Sequence, residues 1–200
     1  MKYITVYCGA STGIKKEYVE AAMEMGKTLS NSNIGLVYGG ASTGLMGAIA
    51  DSVLAHGGNA IGVMPKSIAD YEVAHNKLTK LYLVNSMHER KELMASLGDA
   101  FITMPGGFGT IEELFEIITW MQLGFHSKPI GILNTDNYYT SLLDWLGHCV
   151  ANGFIGDVFF RNIGISSSPN RLIQIMRELK TPDNLFIQRQ TGDVAEWKIN

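Results

Sequence analysis

Apolar residues recur along the chain at two spacings, which alternate from the N-terminus to beyond residue 175. Short apolar runs are typical of buried strands, whereas apolar residues three and four positions apart indicate one face of a helix. The predicted strands are Tyr3–Tyr7, Gly35–Tyr38, Asn59–Met64, Leu81–Val84, Ala100–Met104, Ile130–Leu133 and Ile163–Ile165. The predicted helices are Lys15–Leu29, Leu45–His56, Met87–Leu97, a helix from Thr110, Tyr138–Asn152 and Asn170–Leu179. This alternation predicts a doubly wound parallel sheet between two layers of helices, a three-layer α/β/α fold.

Length and charge narrow what such a fold is expected to do. The 200 residues, 46% of them hydrophobic, suit one domain, which we place at residues 1–180, followed by a tail at 181–200. A net charge of −3 argues against a nucleic-acid partner. The absence of a long apolar run argues against a membrane. Two cysteines without metal-ligand spacing and an N-terminus unlike a signal peptide predict a cytoplasmic protein that needs no metal.

The most informative stretch is the turn that joins the predicted strand Ala100–Met104 to the next helix. It contains Gly106, Gly107 and Gly109, and glycines allow the backbone to approach a ligand without a Cβ in the way. The first turn of the following helix offers unpaired N–H groups and a favourable dipole for an anion. We therefore expect a phosphate here. The spacing matches neither the dinucleotide-binding pattern nor the P-loop.

A structural interpretation of the same stretch stays open. Thr110 and Glu113 fit a capping box, in which Thr110 would cap the helix and Glu113 would hydrogen-bond back to it. A capping box does not require three glycines just before it, so the phosphate site is favoured.

Two basic residues stand close to the start of another predicted helix. Ser86 would cap this helix, so Arg90 and Lys91 fall in or beside its first turn, where positive charge is disfavoured by ~0.3–1 kcal/mol. A bound anion or nearby carboxylates should compensate them. The candidate carboxylates are those of Glu112, Glu113 and Glu116.

The ends of the strands should meet at the ligand. In doubly wound sheets, ligands bind beyond the carboxyl ends of strands where the strand order switches, which points to the loops after Tyr7, Tyr38, Val84 and Met104. Small residues in such loops also serve tight turns, so each loop taken alone is weak evidence. Cys8, in the first loop, is expected to be a small buried residue rather than a nucleophile.

Glu113 is the candidate for chemistry. A carboxylate beside a phosphate site would repel the phosphate, so we expect it to act on an attached sugar. There it could stabilise an oxocarbenium-like transition state and activate water. Arg90 stays charged at any relevant pH, and it would therefore position groups and stabilise charge rather than transfer a proton.

Two motifs resemble those of a known family. Pro105–Glu113 matches the P-G-G-x-G-T-x-x-E motif of the LOG ("Lonely Guy") proteins, cytokinin-activating phosphoribohydrolases long labelled lysine decarboxylases, and Met87–Lys91 resembles their second motif. The resemblance runs from about Tyr3 to Gly156. It implies a Rossmann-like homodimer that hydrolyses AMP or N6-substituted AMP to the free base and ribose 5-phosphate without a cofactor. By position, it implies that Arg90 and Glu113 are the catalytic pair.

The same resemblance implies the rest of a nucleotide site. Its residues would be Gly106, Gly107, Phe108, Gly109, Thr110, Ile111, Glu112, Lys91, Thr119, Met87, Gly39, Gly40 and Ser11. The chain departs from the family pattern at Ala41, where a third glycine is usual, and at Thr43, where an apolar residue is usual.

Two other functions compete with the hydrolase. A carrier of a phosphorylated cofactor, as in the molybdenum-cofactor carriers, would share the fold and the glycine turn but would not need Arg90 with Glu113. A decarboxylase that uses pyridoxal phosphate would need a Schiff-base lysine, and nothing around Lys91 marks it as one.

Overall fold

The fold is taken from a computed structural model of the chain, which describes residues 1–68 and 73–179. The strands are β1 Tyr3–Tyr7, β2 Gly35–Tyr38, β3 Ala60–Pro65, β4 Lys80–Val84, β5 Ala100–Thr103, β6 Ile130–Leu133 and β7 Ile163–Ser166. The helices are α1 Lys16–Asn31, α2 Gly44–Ala55, α3 Met87–Leu97, α4 Phe108–Gln122, α5 Thr140–Ala151, α6 Asp157–Arg161 and α7 Pro169–Glu178. A single 3-10 turn, Thr135–Asn137, precedes α5.

The strands form one parallel sheet in the order β4-β3-β2-β1-β5-β6-β7. Helices α1, α2 and α7 pack together on one face, whereas α3, α4 and α5 supply the apolar residues that cover the other. Buried strand residues such as Leu36 and Phe101 are fully enclosed between these layers. The predicted three-layer α/β/α fold with a parallel sheet is confirmed.

The order of the strands places a crevice at the centre of the sheet. β1 pairs with β2 on one side and with β5 on the other, so the connections leaving β1 and β5 run to opposite edges and separate there. Their carboxyl ends, Tyr7 and Thr103, are directly paired. This is the switch point at which doubly wound folds bind ligands.

Most predicted boundaries agree with the structure to within two residues, which is the ordinary uncertainty of helix ends. The start of α4 also lies within two residues of the predicted Thr110, but this small difference matters because it changes the capping residue. The helix begins at Phe108 with Gly107 at its N-cap, so Thr110 lies inside the first turn and is buried. The alternative interpretation, in which Thr110 caps the helix, is therefore wrong, and Glu113 does not stand at the third position of a capping box.

Two short elements were not predicted from the sequence. Helix α6 has five residues, which is too few for a helical period to be recognised. The 3-10 turn depends on Asp136, whose φ of 50° is unusual for a non-glycine residue. The predicted tail at 181–200 lies outside the described residues. Among the described helices, none combines the length and the apolar character needed to cross a bilayer.

Candidate active site

A cavity of about 620 Å³ opens at the switch point between β1 and β5. Its walls come from the turns that follow these two strands, from the start of α3 and from the first turns of α2 and α4. The polar and glycine residues that line it include Gly9, Ser11, Gly39, Arg90, Gly106, Gly107, Gly109, Thr110, Glu112 and Glu113. The apolar residues that line it include Leu45, Met46, Ile68, Met87 and Met94.

The glycine turn after β5 is packed closely against the turn after β1. The N–H of Gly9 donates to the carbonyl of Pro105 at 3.0 Å. A Cβ on Gly106 would lie 2.2 Å from Oγ1 of Thr110 and 2.9 Å from the nitrogen of Gly9, so no other residue fits there. Gly107 and Gly109, by contrast, have open space where a Cβ would stand, which leaves their backbone accessible from the cavity.

Arg90 is buried at the base of the cavity, with 6% of its surface exposed. It lies one turn into α3, which Ser86 caps by accepting the N–H of Glu89 at 3.1 Å. Its Nη2 donates to the carbonyl of Gly39 at 3.3 Å, and Nη1 lies 3.8 Å from Sδ of Met87. Within the described residues, Nε finds no acceptor. A buried cation with a free donor is prepared for a further acceptor, such as an anionic or hydroxyl-bearing ligand.

Glu113 occupies the adjoining wall, on α4. Burial raises the pKa of its carboxyl group to about 7, against the opposing effect of Arg90. Glu112 and Glu116 raise this pKa further, and Lys91 lowers it. A carboxyl group with this pKa is present in both protonation states near neutral pH, which suits a group that accepts and returns a proton.

Lys91, the next residue after Arg90, points to a different place. Its Nζ lies 2.6 Å from a carboxylate oxygen of Glu112 and 2.9 Å from one of Glu116. The pKa of Lys91 is raised, first by its hydrogen bond to Glu112. The carboxylates expected to compensate the basic pair therefore do so at Lys91, as predicted for Glu112 and Glu116.

The second glycine turn, after β2, shapes the space around Arg90. A Cβ on Gly39 would lie 2.1 Å from Nη2 of Arg90. Gly44 has a φ of +64°, and a Cβ there would lie 2.2 Å from the carbonyl oxygen of Ala10. This turn therefore positions Arg90 and packs against the turn after β1.

The structure brings together most, but not all, of the residues predicted for the nucleotide site. Those that line the cavity are Ser11, Gly39, Met87, Arg90, Gly106, Gly107, Gly109, Thr110, Glu112 and Glu113. Gly40, Lys91, Phe108, Ile111 and Thr119 are not among its lining residues. Phe108 is 97% exposed, and the hydroxyl of Thr119 donates to the carbonyl of Phe115 within its own helix. Lys91 instead borders a second cavity with His88 and Trp120.

Sequence reasoning missed Tyr18 and Tyr138, which also line the cavity. Tyr138 follows β6, and the loop after this strand was not considered although it leaves the same edge of the sheet. Cys8 behaves as expected of a small buried residue. Burial raises the pKa of its thiol well above the ordinary value, which disfavours a thiolate nucleophile. In the described parts of the chain, no group of three His, Cys, Asp or Glu side chains is arranged to hold a metal ion.

Comparison with known proteins places these residues in a family. A family model described as "Possible lysine decarboxylase" matches residues 46–176. A cytokinin riboside 5′-monophosphate phosphoribohydrolase of Arabidopsis thaliana is 41% identical over 190 residues, which cover 95% of this chain and 89% of the plant protein. The chain belongs to the LOG family. A bacterial LOG relative, the cytokinin riboside 5′-monophosphate phosphoribohydrolase of Rhodococcoides fascians, is 50% identical over 155 residues, 77% of this chain and 78% of its own.

Solved structures share the fold of this LOG-family chain at much lower identity. The molybdenum cofactor binding protein of Rippkaea orientalis aligns with a TM-score of 0.67 and 19% identity, over 88% of this chain and 95% of its own. The molybdenum cofactor carrier protein of Chlamydomonas reinhardtii aligns with a TM-score of 0.66 and 17% identity, over 88% of this chain and 96% of its own. At these identities the likeness concerns the fold alone.

Proposed function

We propose that this protein is a nucleoside 5′-monophosphate phosphoribohydrolase, which hydrolyses AMP or N6-substituted AMP to the free base and ribose 5-phosphate. The observation that carries the proposal is the meeting, in one cavity, of a glycine turn at a helix start with the Arg90–Glu113 pair. Family membership supports the same activity, because the plant and bacterial relatives are named as phosphoribohydrolases of cytokinin riboside 5′-monophosphates. The free thiols of Cys8 and Cys149 are compatible with a reducing cytoplasm.

In this reaction the N-glycosidic bond between C1′ and the base breaks, and a water oxygen forms the new bond to C1′. The turn from Gly106 to Thr110 would hold the 5′-phosphate, since its N–H groups and the dipole of α4 favour an anion. The negative charge of Glu113 would stabilise the oxocarbenium-like transition state. As water attacks, Glu113 accepts one proton from it, and a proton returns to the base as the base leaves.

Arg90 supports this role of Glu113. Its positive charge lowers the pKa of the Glu113 carboxyl and so opposes the effect of burial. Without Arg90, the pKa of the carboxyl would be higher, and a smaller fraction of it would be ionised and able to act as a base at neutral pH. The unpaired Nε of Arg90 is also available to a ribose hydroxyl or a phosphate oxygen.

The competing function is that of a carrier, which would bind a phosphorylated cofactor without cleaving it. The carriers share the fold, so the fold does not separate the two functions. A carrier has no use for a buried arginine beside a carboxyl group whose pKa is close to neutrality. The Arg90–Glu113 pair therefore favours the hydrolase.

The test is incubation of the protein with AMP in EDTA, followed by chromatography for adenine and ribose 5-phosphate. We expect both products in equal amounts and much slower cleavage of adenosine, because the phosphate contributes binding energy that positions the sugar. AMP that binds but stays intact would favour the carrier. Equal rates for AMP and adenosine would contradict the phosphate site at Gly106–Thr110.

We also propose that the protein is a homodimer. Large apolar side chains are exposed on the outer side of α4 and around α5, including Leu123, Phe125 and Trp145, and the ring of Phe115 packs edge-on against Trp145 at 6.1 Å. A second copy on this face would cover them, and exposed apolar patches of this kind mark interaction surfaces. It would also give a role to Thr119, which lies on α4 outside the cavity of its own chain.

Light scattering tests the dimer. We expect twice the mass of the 21.9 kDa chain at micromolar concentration. Trp145→Glu should shift the protein toward the monomer because it places a charge within the apolar face. A wild-type protein that stays at the monomer mass would contradict the proposal.

A further inference from the structure

Three successive carbonyl groups of the turn after β5 accept hydrogen bonds from outside the turn. The carbonyl of Met104 accepts from the hydroxyl of Tyr139 at 2.8 Å, and that of Pro105 accepts from the N–H of Gly9 at 3.0 Å. The carbonyl of Gly106 accepts from the hydroxyl of Tyr138 at 2.7 Å. Each of these carbonyls lies four residues before a residue in the first turn of α4, which is the spacing of an α-helical hydrogen bond. They would be the acceptors of the first N–H groups if the helix extended further toward the N-terminus.

This arrangement has a direct electrostatic meaning for an anion site. A carbonyl oxygen that turned toward a phosphate would repel it, whereas the N–H on the same peptide would attract it. A trans peptide is planar, and its C=O and N–H point in opposite directions. Fixing the carbonyl of Gly106 therefore fixes the direction of the N–H of Gly107. Glycine is the residue that needs such a restraint most, because its backbone is the most free.

Of the two bonds donated by tyrosine hydroxyls, the one from Tyr138 lies at the cavity. Tyr139 is buried and its hydroxyl reaches the end of β5, so that bond belongs to the core. Tyr138 is 42% exposed and lines the cavity itself. Its bond can be removed by deleting one oxygen atom without opening the core.

The loop that carries Tyr138 is held firmly in place. Asp136 and Asn137 take left-handed backbone conformations, with φ of 50° and 59°, which Asp and Asn adopt more readily than other non-glycine residues. Asp136 forms an ion pair with Lys15 just before α1. The ring of Tyr138 packs edge-on against Tyr18 at 5.5 Å and against Tyr139 at 4.8 Å. These contacts fix the position from which the hydroxyl donates.

We propose that Tyr138 is a positioning residue for the phosphate of the substrate: its hydroxyl holds the Gly106 carbonyl so that the Gly106–Gly107 peptide presents its N–H, and not its oxygen, to the anion. The proposal rests on the proposed function for the identity of the anion. Tyr138 contributes to the binding of phosphorylated ligands and contributes nothing to the binding of the same ligand without its phosphate.

The test compares AMP with adenosine in the Tyr138→Phe variant, which keeps the ring contacts and loses only the hydroxyl. Calorimetric titrations are made in a Glu113→Gln background, so that no ligand is consumed. We expect the Kd for AMP to rise about three- to tenfold, the scale of one net hydrogen bond, and the Kd for adenosine to stay unchanged. In the otherwise wild-type protein, KM for AMP should rise by a similar factor. The control, Tyr82→Phe on β4, should change neither ligand.

Two results would overturn the proposal: an AMP affinity that does not change in Tyr138→Phe, or equal losses for AMP and adenosine, which would show a general loosening of the site. Because the titrations need no turnover, they also separate this proposal from the proposed function. If the wild-type protein releases no adenine from AMP, the hydrolase assignment fails. The comparison of AMP with adenosine still decides the role of Tyr138.

Discussion

Arg90 and Lys91 are consecutive residues of α3, but their side chains differ in how many partners they have within the protein. Lys91 has two carboxylate partners, at 2.6 and 2.9 Å. Arg90 is more deeply buried, its guanidinium contacts one carbonyl and one sulfur atom, and in the described structure its Nε has no partner. The neighbouring carboxylates divide in the same way. Glu112 and Glu116 pair with Lys91, whereas Glu113 lines the cavity with Arg90, whose charge lowers the pKa of its carboxyl.

The two residues differ in whether their polar groups already have partners within the protein. Those of Lys91 do, whereas Arg90 keeps a donor that a ligand could use. In the Lys91 cluster, two carboxylates, those of Glu112 and Glu116, pair with one ammonium group, so Lys91 needs no further partner from a ligand. On the other side, the Nε of Arg90 is unpaired in the described structure, and burial raises the pKa of the Glu113 carboxyl to about 7. Both features lower the stability of the folded protein. Proteins tolerate such costs mainly where chemistry requires them.

The largest effect should come from Glu113 itself. Glu113→Gln keeps the size and hydrogen-bonding capacity of the side chain but removes its negative charge and, with it, the proposed base. Turnover of AMP should fall about 10²-fold or more, while AMP still binds. Glu116→Gln, one turn further along α4, is the matched control and should keep most of the activity. Steady-state kinetics and a binding titration measure both variants, and similar losses in the two would remove the distinction between the clusters.

The guanidinium of Arg90 can be displaced by a substitution at a neighbouring residue, without mutating Arg90 itself. A Cβ on Gly39 would lie 2.1 Å from Nη2 of Arg90, so Gly39→Ala must displace the guanidinium. We expect kcat/KM for AMP to fall about tenfold or more, because small misplacements of catalytic groups are costly. Gly147→Ala in α5, where a Cβ meets open space, is the control and should leave kcat/KM unchanged. If Gly39→Ala retained full activity, the position of Arg90 would not matter.

The cost of the raised pKa should be visible in stability. The pKa of Glu113 is about 7 in the folded protein and 4.5 ordinarily, so the folded state binds more protons between these values. Stability from this group is therefore present below about pH 4.5 and lost as the pH rises to about 7. Glu113→Gln avoids this loss and should exceed the wild type above about pH 7, by up to about 3 kcal/mol. Urea unfolding at several pH values measures the difference, and parallel curves for the two proteins would contradict it.

The smallest effect on activity is expected from a substitution of Lys91. Lys91→Met removes both ion pairs, but Lys91 itself does not line the cavity. Since Glu113 and Arg90 stay in place, kcat should fall far less than in Glu113→Gln. Stability should fall by about 1 kcal/mol, as for a partly exposed ion pair, and less at high salt. Urea unfolding at two ionic strengths and AMP kinetics test this. A loss of turnover as large as that of Glu113→Gln would show that Lys91 takes part in catalysis.

Local signals made much of this molecule predictable from its sequence. The apolar periods predicted the sheet and its helices, and the glycines after β5 predicted a site at that turn. The start of α4 was misplaced because Phe108 and Gly109 look like loop residues, although they form the first helical turn. Tyr138 was missed because its bond to Gly106 spans 32 positions, and no local pattern encodes such a contact. The sequence also did not show whether Arg90 or Lys91 pairs with the carboxylates of α4, because this depends on how α3 and α4 pack against each other.

The pairing of β1 with β5 joins distant parts of the chain, which has a consequence for folding. Ile4 pairs with Ala100 and Tyr7 with Thr103, so the two turns that enclose the cavity are brought together by contacts almost half the chain apart. Such non-local parallel pairing is slow to form, since the loop entropy must be lost before the contacts are gained. AMP, if it binds as proposed, can recognise only chains in which the central strands have paired. Its binding would draw the equilibrium toward those chains, and the nucleotide would act as a reporter of completed folding.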